Sequence, residues 1–194
     1  MVALGTLLGL AVTAGLNLYA TVFATGLAIR LGWIEPAPAL DGLAVLADMR
    51  ILVVSGVLYA IEFVADKIPI VEHAWDFIHT LVRPLGAVWI GLMATSQASM
   101  SPAAEVMLLL VMGAAALTAH LGKAGTRLVS AGTGGHVVGA GFGLSILEDV
   151  FSLAIAPLAI THPRAVLIAS LGVLAAIAVL VPLGFRYVRS LFRA

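Results

Sequence analysis

Nine charged residues lie in three groups, each inside or beside a long apolar stretch of the sequence. The first group is Glu62, Asp66 and Lys67, followed by Asp76, His79 and Arg83; the second extends from His120 to Arg127, and the third is the adjacent pair Glu148-Asp149. A charge within the hydrocarbon costs roughly 2.5–3.5 kcal/mol, so such side chains normally face a protein interior or a water-filled cavity. The carboxylates would bind a cation or shuttle protons there, while the bases would compensate charge or hold an anionic solute.

Helical spacing places the members of a group on common faces. Glu62 and Asp66 are four residues apart, and Asp76, His79 and Arg83 follow at i, i+3 and i+7. The second group repeats the i, i+3, i+7 spacing. Each set therefore presents its polar side chains to one neighbour or one cavity.

The acids and bases of the three groups nearly cancel, as a buried network of mutually paired charges requires. The acids are Glu62, Asp66, Asp76, Glu148 and Asp149, and the bases are Lys67, Arg83, Lys123 and Arg127. A competing interpretation is that the pairs only lock helices together. For Lys67 and Arg83 a position at the water interface is a further alternative.

The first apolar stretch contains a polar stripe of Thr13, Asn17 and Thr21 beside Gly15. A Gly-Leu-Asn step in mid-membrane predicts local unwinding that turns backbone carbonyls toward a cavity. Close helix packing through Gly and Thr is the alternative. The fourth stretch has Gly122 and Gly125 at the equivalent place, so we expect broken helices one and four to point at one central site.

Together these patterns predict one substrate- or ion-binding region without an assigned catalytic group, metal ligand or cofactor. Its expected members are Asn17, Glu62, Asp66, Lys67, Asp76, His79, Arg83, His120, Lys123, Arg127, Glu148 and Asp149.

Composition indicates which elements must position these residues. The chain has 194 residues, 62% of them hydrophobic and 10% charged, whereas soluble domains have about 45–50% and about 25%. A membrane helix needs about 20 mostly apolar residues, so we expect an all-α polytopic membrane protein with one transmembrane domain over residues 1–194. Apolar windows predict six spans near residues 4–29, 45–66, 84–100, 104–122, 137–160 and 165–185.

Pro and polar residues separate the predicted spans. The segment 35–41 contains Pro and acidic residues and predicts an aqueous loop, while 99–102 and 161–163 interrupt the chain in the same way. If both termini lie on one side, seven Lys and Arg residues fall on that side and three on the other. The positive-inside rule then predicts cytoplasmic termini.

Two short matches suggest an internal duplication. Residues 13–21 resemble residues 118–126, and residues 58–62 resemble residues 144–148. Their order relates span one to four and span two to five, which predicts a three-plus-three inverted repeat with halves 1–100 and 101–194. Accidental similarity of small-residue helices is the alternative.

The string Glu62-Phe-Val-Ala-Asp-Lys-Ile-Pro69, followed by Trp75-Asp76 and Arg83-Pro84, resembles a bacterial integral-membrane family known as domain of unknown function 4126. The resemblance extends to residues 15–20, 120–127 and 147–150. It implies a multi-span protein of the bacterial inner membrane and implies no particular activity.

The polar region favours a small transporter or channel-like protein for an ion, with proton coupling, or for a small anionic solute. We expect a homodimer in the lipid bilayer, because six short spans enclose little volume, and a net charge of +0 gives no indication of nucleic acid. One alternative is an intramembrane metal-dependent enzyme, with His79 and His120 as ligands and a lipid phosphate on Arg83, Lys123 and Arg127. A non-catalytic membrane scaffold is another.

Overall fold

Seven α-helices and one 3-10 helix make up the computed structural model, which describes residues 2–132 and 138–191. The α-helices are α1 (Val2–Leu16), α2 (Leu18–Arg30), α3 (Met49–Ala65), α4 (Pro69–Thr95), α5 (Pro102–Gly132), α6 (Val138–Thr161) and α7 (Pro163–Leu191). The 3-10 helix covers Pro38–Ala47, between α2 and α3. The prediction of an all-α protein is confirmed for this part of the chain.

Helix α1 lies at the centre and packs against α2, α4, α5, α6 and α7. It is apolar on every side, which is the pattern of a helix enclosed by others. Leu7, Leu10 and Val12 are buried, and so is Thr13, whose hydroxyl donates to the Gly9 carbonyl at 3.0 Å. The other polar side chain of α1, Thr6, donates to the Ala159 carbonyl of α6 at 2.8 Å, so both threonine hydroxyls donate to backbone carbonyls.

The first predicted span is broken at Asn17. This residue has φ −150° and ψ 102°, so α1 ends at Leu16 and α2 begins at Leu18. The Asn17 Oδ1 atom accepts a hydrogen bond from the Ala20 N–H at 2.9 Å, which makes Asn17 the N-cap of α2. Unwinding at the Gly-Leu-Asn step is therefore confirmed.

The expected second break, in span four, is wrong. Helix α5 is continuous through Gly122 and Gly125. A Cβ atom at Gly122 would lie 2.6 Å from the Ile177 side chain, and one at Gly125 would lie 2.7 Å from that of Val181. Both glycines therefore let α7 approach α5 closely, and they do not interrupt the helix.

Three described helices are long and apolar enough to cross a membrane, namely 74–95, 102–127 and 163–190. The 3-10 helix and α3 together make a fourth candidate, bent by 67°. Helices α1 and α2 are apolar but shorter, because Asn17 divides them. Helix length and composition thus support three or four spans in the described ranges, and the six-span inverted repeat is not established.

Two predicted boundaries need correction. The segment expected as an aqueous loop leads into the 3-10 helix, whose Leu40, Leu43 and Leu46 are buried, because this apolar series follows Pro38 closely. The helix that contains the third predicted span is α4. It begins at Pro69 and not at residue 84, since a proline is well tolerated in the first turn of a helix. The interruptions before Pro102 and Pro163 are confirmed.

Candidate functional site

An ion pair between Glu62 of α3 and Arg83 of α4 lies against the end of α1. Both side chains are 0% exposed. The Arg83 Nη2 atom donates to Glu62 Oε1, and Nη1 donates to the Gly15 carbonyl at 3.1 Å. Gly15 lies in the last turn of α1, just before the break at Asn17. Carbonyls in the last turn of a helix have no backbone N–H partner within that helix. Arg83 therefore satisfies both a buried carboxylate and a backbone group that the break releases.

The imidazole of His120 continues this network toward Asp76. Arg83 Nη1 lies 2.8 Å from His120 Nδ1, and a guanidinium can only donate, so Nδ1 is the unprotonated nitrogen. The other nitrogen, Nε2, lies 3.1 Å from the Asp76 carbonyl and 3.1 Å from the Thr80 hydroxyl. Because a carbonyl only accepts, Nε2 carries the hydrogen, and His120 is neutral in this arrangement.

His79 occupies a separate position beside α2. Its Nδ1 atom donates to the Trp75 carbonyl at 2.8 Å, and its Nε2 atom lies 3.1 Å from the Tyr19 hydroxyl. Its ring stacks on that of Trp75, with ring centroids 4.7 Å apart. Both nitrogens of each site histidine are thus engaged in hydrogen bonds. Within the described ranges, no three His, Cys, Asp or Glu residues are grouped to hold a metal ion.

Two bases on α5 are shared by three carboxylates from three other segments. Lys123 Nζ lies 2.8 Å from Asp66 Oδ2 and 3.2 Å from Glu148 Oε2. The Arg127 guanidinium contacts Asp76 at 3.0 Å, Asp66 at 3.3 Å and Glu148 at 3.3 Å. Lys123 Nζ also lies 3.5 Å from the Leu16 carbonyl, which is the second carbonyl at the end of α1 to face a cation.

The charges of this group do not balance among the described side chains. Three carboxylates face two cations, whereas Glu62 is matched by Arg83, and Asp149 by Lys67 at 3.8 Å. Counted over these described side chains alone, full ionisation would leave one net negative charge. Since isolated buried charge is costly, this group is a place where a proton or a small cation would be stabilised.

Asp149 contacts the helix break directly. Its Oδ1 atom accepts a hydrogen bond from Asn17 Nδ2 at 2.9 Å. Lys67 Nζ, besides facing Asp149, donates to the Phe63 carbonyl at 2.8 Å and lies 3.4 Å from the centroid of the Phe63 ring. The Asn17 side chain thus caps α2 with its oxygen and binds a carboxylate of α6 with its nitrogen.

Several buried carboxylate oxygens retain free acceptor capacity. Glu62 Oε2, Asp66 Oδ1, Asp76 Oδ1 and Asp149 Oδ2 accept no hydrogen bond from the groups that the structure describes. Unsatisfied buried acceptors of this kind call for an explanation in a native structure. They lie on the same side chains that form the ion pairs, so the network can accept further donors without rearranging its helices.

Asp66 lies between the candidate spans ending at Ala65 and beginning at Ala74. Burial alone would raise the pKa of its carboxyl group. The cations Lys123 and Arg127 outweigh burial and hold that pKa below its usual value. Lys123 and Arg127 therefore favour the ionised form of Asp66.

The structure places eleven of the twelve predicted residues in contacts around the α1–α2 break, and His79 lies beside them on Trp75 and Tyr19. They come from the α1–α2 break, the end of α3, the connection to α4, and helices α4, α5 and α6. Tyr19 and Thr80 also contact the site and were not expected there. Thr80 had a signal in its spacing, because it follows Asp76 by four residues, whereas the two-residue spacing of Tyr19 from Asn17 gives none. The carbonyls of Gly15 and Leu16 have no sequence signal besides the break itself.

Fold and site together define a helical protein with several helices able to span a membrane and a buried charge network at a helix break. The chain belongs to the family described as "Domain of unknown function (DUF4126)", which matches residues 4–182. No curated protein and no solved structure matches the chain.

Proposed function

We propose that this protein is a small integral membrane transporter or channel-like protein whose buried network binds and releases one proton or one small cation. The observation that carries the proposal is the group of three carboxylates on two cations, beside the broken helix at Asn17. A group with one carboxylate in excess changes its net charge from −1 to zero when it takes up a proton or a monovalent cation. Such a change in a buried site is what coupled ion movement needs.

Glu148 is the carboxylate that we assign to this exchange. Its contacts with Lys123 and Arg127 are 3.2 and 3.3 Å, whereas Asp66 and Asp76 each have a contact of 3.0 Å or shorter. Of the two carboxylates that Lys123 and Arg127 share, Glu148 thus has the longer shortest contact, and its charged form is stabilised less than that of Asp66. Glu148 is also the more exposed of these two, at 8% against 5% for Asp66.

We further propose that the chain crosses a bacterial inner membrane six times as a homodimer, with both termini in the cytoplasm. In this arrangement α1 and α2 form one broken span, and α3 to α7 each form another. An inverted repeat with halves 1–100 and 101–194 would require superposition of the two halves after rotation about an axis in the membrane plane. The break at Asn17 supports a broken first span in residues 1–100, and helix α5 in residues 101–194 has no matching break.

The test is ion flux in proteoliposomes that contain the purified protein. A potassium diffusion potential drives protons into the vesicles while an entrapped dye reports pH, and parallel assays follow Na⁺ and a panel of small anionic solutes. The variant Glu148→Gln keeps the side-chain shape but removes the exchangeable charge. The matched control is Glu35→Gln, because Glu35 is an exposed acid outside the network.

We expect flux above empty liposomes for the wild-type protein and for Glu35→Gln, and loss of flux for Glu148→Gln. Size exclusion and thermal melting must show that Glu148→Gln remains folded. If a folded Glu148→Gln variant retains unchanged flux, the assigned acid is wrong. If the wild-type protein moves none of these ions or solutes, the network only joins helices and the scaffold interpretation is favoured.

A further inference from the structure

A cavity of about 370 Å³ lies between α2, α3 and α4, away from the ion-pair network. Its walls are largely apolar and include Val22 of α2, Val54 and Leu58 of α3, and Trp89 of α4. Val54 is 57% exposed and Trp89 is 36% exposed, so the cavity opens to the surface of the helix bundle. In a membrane protein this surface faces hydrocarbon, and an elongated apolar ligand can enter from the side.

One residue with a cationic side chain, Arg50, borders this apolar space and contributes only the apolar part of that side chain to its walls. Arg50 is the second residue of α3, is exposed, and makes no ion pair with any side chain that the structure describes. The nearby Asp48 carboxylate is used to cap α3, since it accepts a hydrogen bond from the Arg50 backbone N–H at 2.8 Å. The Arg50 guanidinium therefore retains its donors for an external anion.

A second arginine lies near the same end of the helix pair. Arg30, the last residue of α2, donates to the Ala47 carbonyl at 3.1 Å, three residues before Arg50. This contact uses one donor of a side chain that presents five. Arg30 thus lies at the end of α2 and Arg50 at the start of α3, and a phosphate is the anion that a guanidinium fork binds best.

We propose that this cavity binds one anionic phospholipid, with its phosphate on Arg50 and an acyl chain between α2, α3 and α4. The cavity follows α3 from Arg50 to Leu58, and eight residues of helix extend about 12 Å. Its length thus runs away from the charged end along the helix, as an acyl chain runs away from its headgroup. A ligand that matches this cavity must carry a negative charge at one end and be apolar over the rest of its length, so it is an amphiphile.

The inner end of the cavity is at Tyr19, beside the helix break. Tyr19 lines the cavity, and its hydroxyl is hydrogen-bonded to His79. Leu18, the first residue of α2, packs on Gly86 of α4 at the same place. An acyl chain in the cavity would therefore pack against the start of α2 and support the broken conformation.

Native mass spectrometry of the detergent-purified protein tests this site. The protein is offered equimolar phosphatidylglycerol and phosphatidylcholine with identical acyl chains, and the ratio of the two bound lipids is measured. A basic residue at a membrane surface contributes about 1 kcal/mol toward anionic lipid, which corresponds to about a fivefold preference. We expect wild-type protein to retain phosphatidylglycerol over phosphatidylcholine by about this factor.

Two variants distinguish the headgroup contact from the chain contact. Arg50→Gln should abolish the preference, whereas Arg186→Gln, a matched exposed arginine at the other end of the chain, should retain it. Val54→Trp fills the cavity and should reduce retention of both lipids without altering the oligomeric state. The proposal is overturned if wild-type protein shows no preference, if both arginine variants behave alike, or if Val54→Trp leaves retention unchanged. It is equally overturned if Val54→Trp changes the oligomeric state, because a second copy of the chain then covers this surface.

Discussion

Removal of one partner from the Glu62–Arg83 pair should be among the most destabilising single substitutions in this protein. Both side chains are 0% exposed, so Glu62→Gln leaves a buried guanidinium without its counter-charge. Breaking a buried pair in this way costs about 3–5 kcal/mol. For a chain of this size each kcal/mol shifts the melting temperature by about 2–4 °C, so the expected loss is about 6–20 °C.

Arg83→Met should be at least as destabilising, because Arg83 also donates to the Gly15 carbonyl and contacts His120. The double variant Glu62→Gln/Arg83→Met leaves no buried charge unpaired. Its cost should therefore be smaller than the sum of the two single costs by about 2 kcal/mol or more, a coupling within the range seen for residues of one network.

Thermal melting in detergent measures all three variants and the exposed control Glu35→Gln, which should lie within about 0.5 kcal/mol of wild type. If the cost of the double variant is close to the sum of the two single costs, the two side chains are not coupled. A Glu62→Gln variant that melts together with the control would refute the assignment of this pair as a structural anchor of the site.

Three further predictions use the same melting assay. Asn17→Ala removes the N-cap of α2 and should cost about 1 kcal/mol or more, while Asn17→Ser should recover the capping part of this loss; equal melting of the two would argue against the cap. Gly15→Ala places a methyl group against the backbone of α5 and should destabilise strongly, whereas Gly172→Ala, with open space around it, should be nearly neutral. Because the pKa of Asp66 is lowered in the folded protein, its stabilising contribution is present at neutral pH and lost as pH falls through that lowered pKa. Denaturant titrations across acid pH should show this loss in the wild-type protein and a flatter profile in Asp66→Asn.

Ion pairing among the nine charged residues could be predicted because charge in an apolar chain is a strong and simple signal. Glu148 and Asp149 lie in the middle of an apolar segment, so a partner within the protein was required, and Lys123, Arg127 and Asn17 supply it. Which acid pairs with which base was not predictable. The pairing depends on how α3, α5 and α6 pack together, and spacing within one helix carries no information on that.

The two glycine-containing steps show the limit of local sequence reasoning. Gly15 precedes Asn17, whose side chain can cap a new helix, and the chain breaks there. Gly122 and Gly125 have no such capping residue between them, and their missing side chains instead accommodate Ile177 and Val181. Glycine alone permits either a break or close packing, and the neighbouring cap decides between them.

Apolar windows predict six spans, whereas helix length and composition support three or four in the described ranges, for a related physical reason. Apolar windows do not distinguish a lipid-facing helix from a helix enclosed by protein, and α1 is of the second kind. The apolar series Leu40, Leu43 and Leu46 is likewise buried in a short 3-10 helix next to a bend of 67°. Burial inside the protein and burial in lipid select the same residue types.

The central claim, in the case where the exchanged ion is a proton, is that Glu148 carries that proton within a group of three carboxylates and two cations. Infrared difference spectroscopy of the protein in lipid, recorded between acid and alkaline pH, detects the carbonyl band of a protonated buried carboxylic acid. The account predicts one such band in the wild-type protein, its retention in Glu35→Gln and its loss in Glu148→Gln. A band that persists unchanged in Glu148→Gln, or its absence from the wild-type protein at every pH, would contradict the claim.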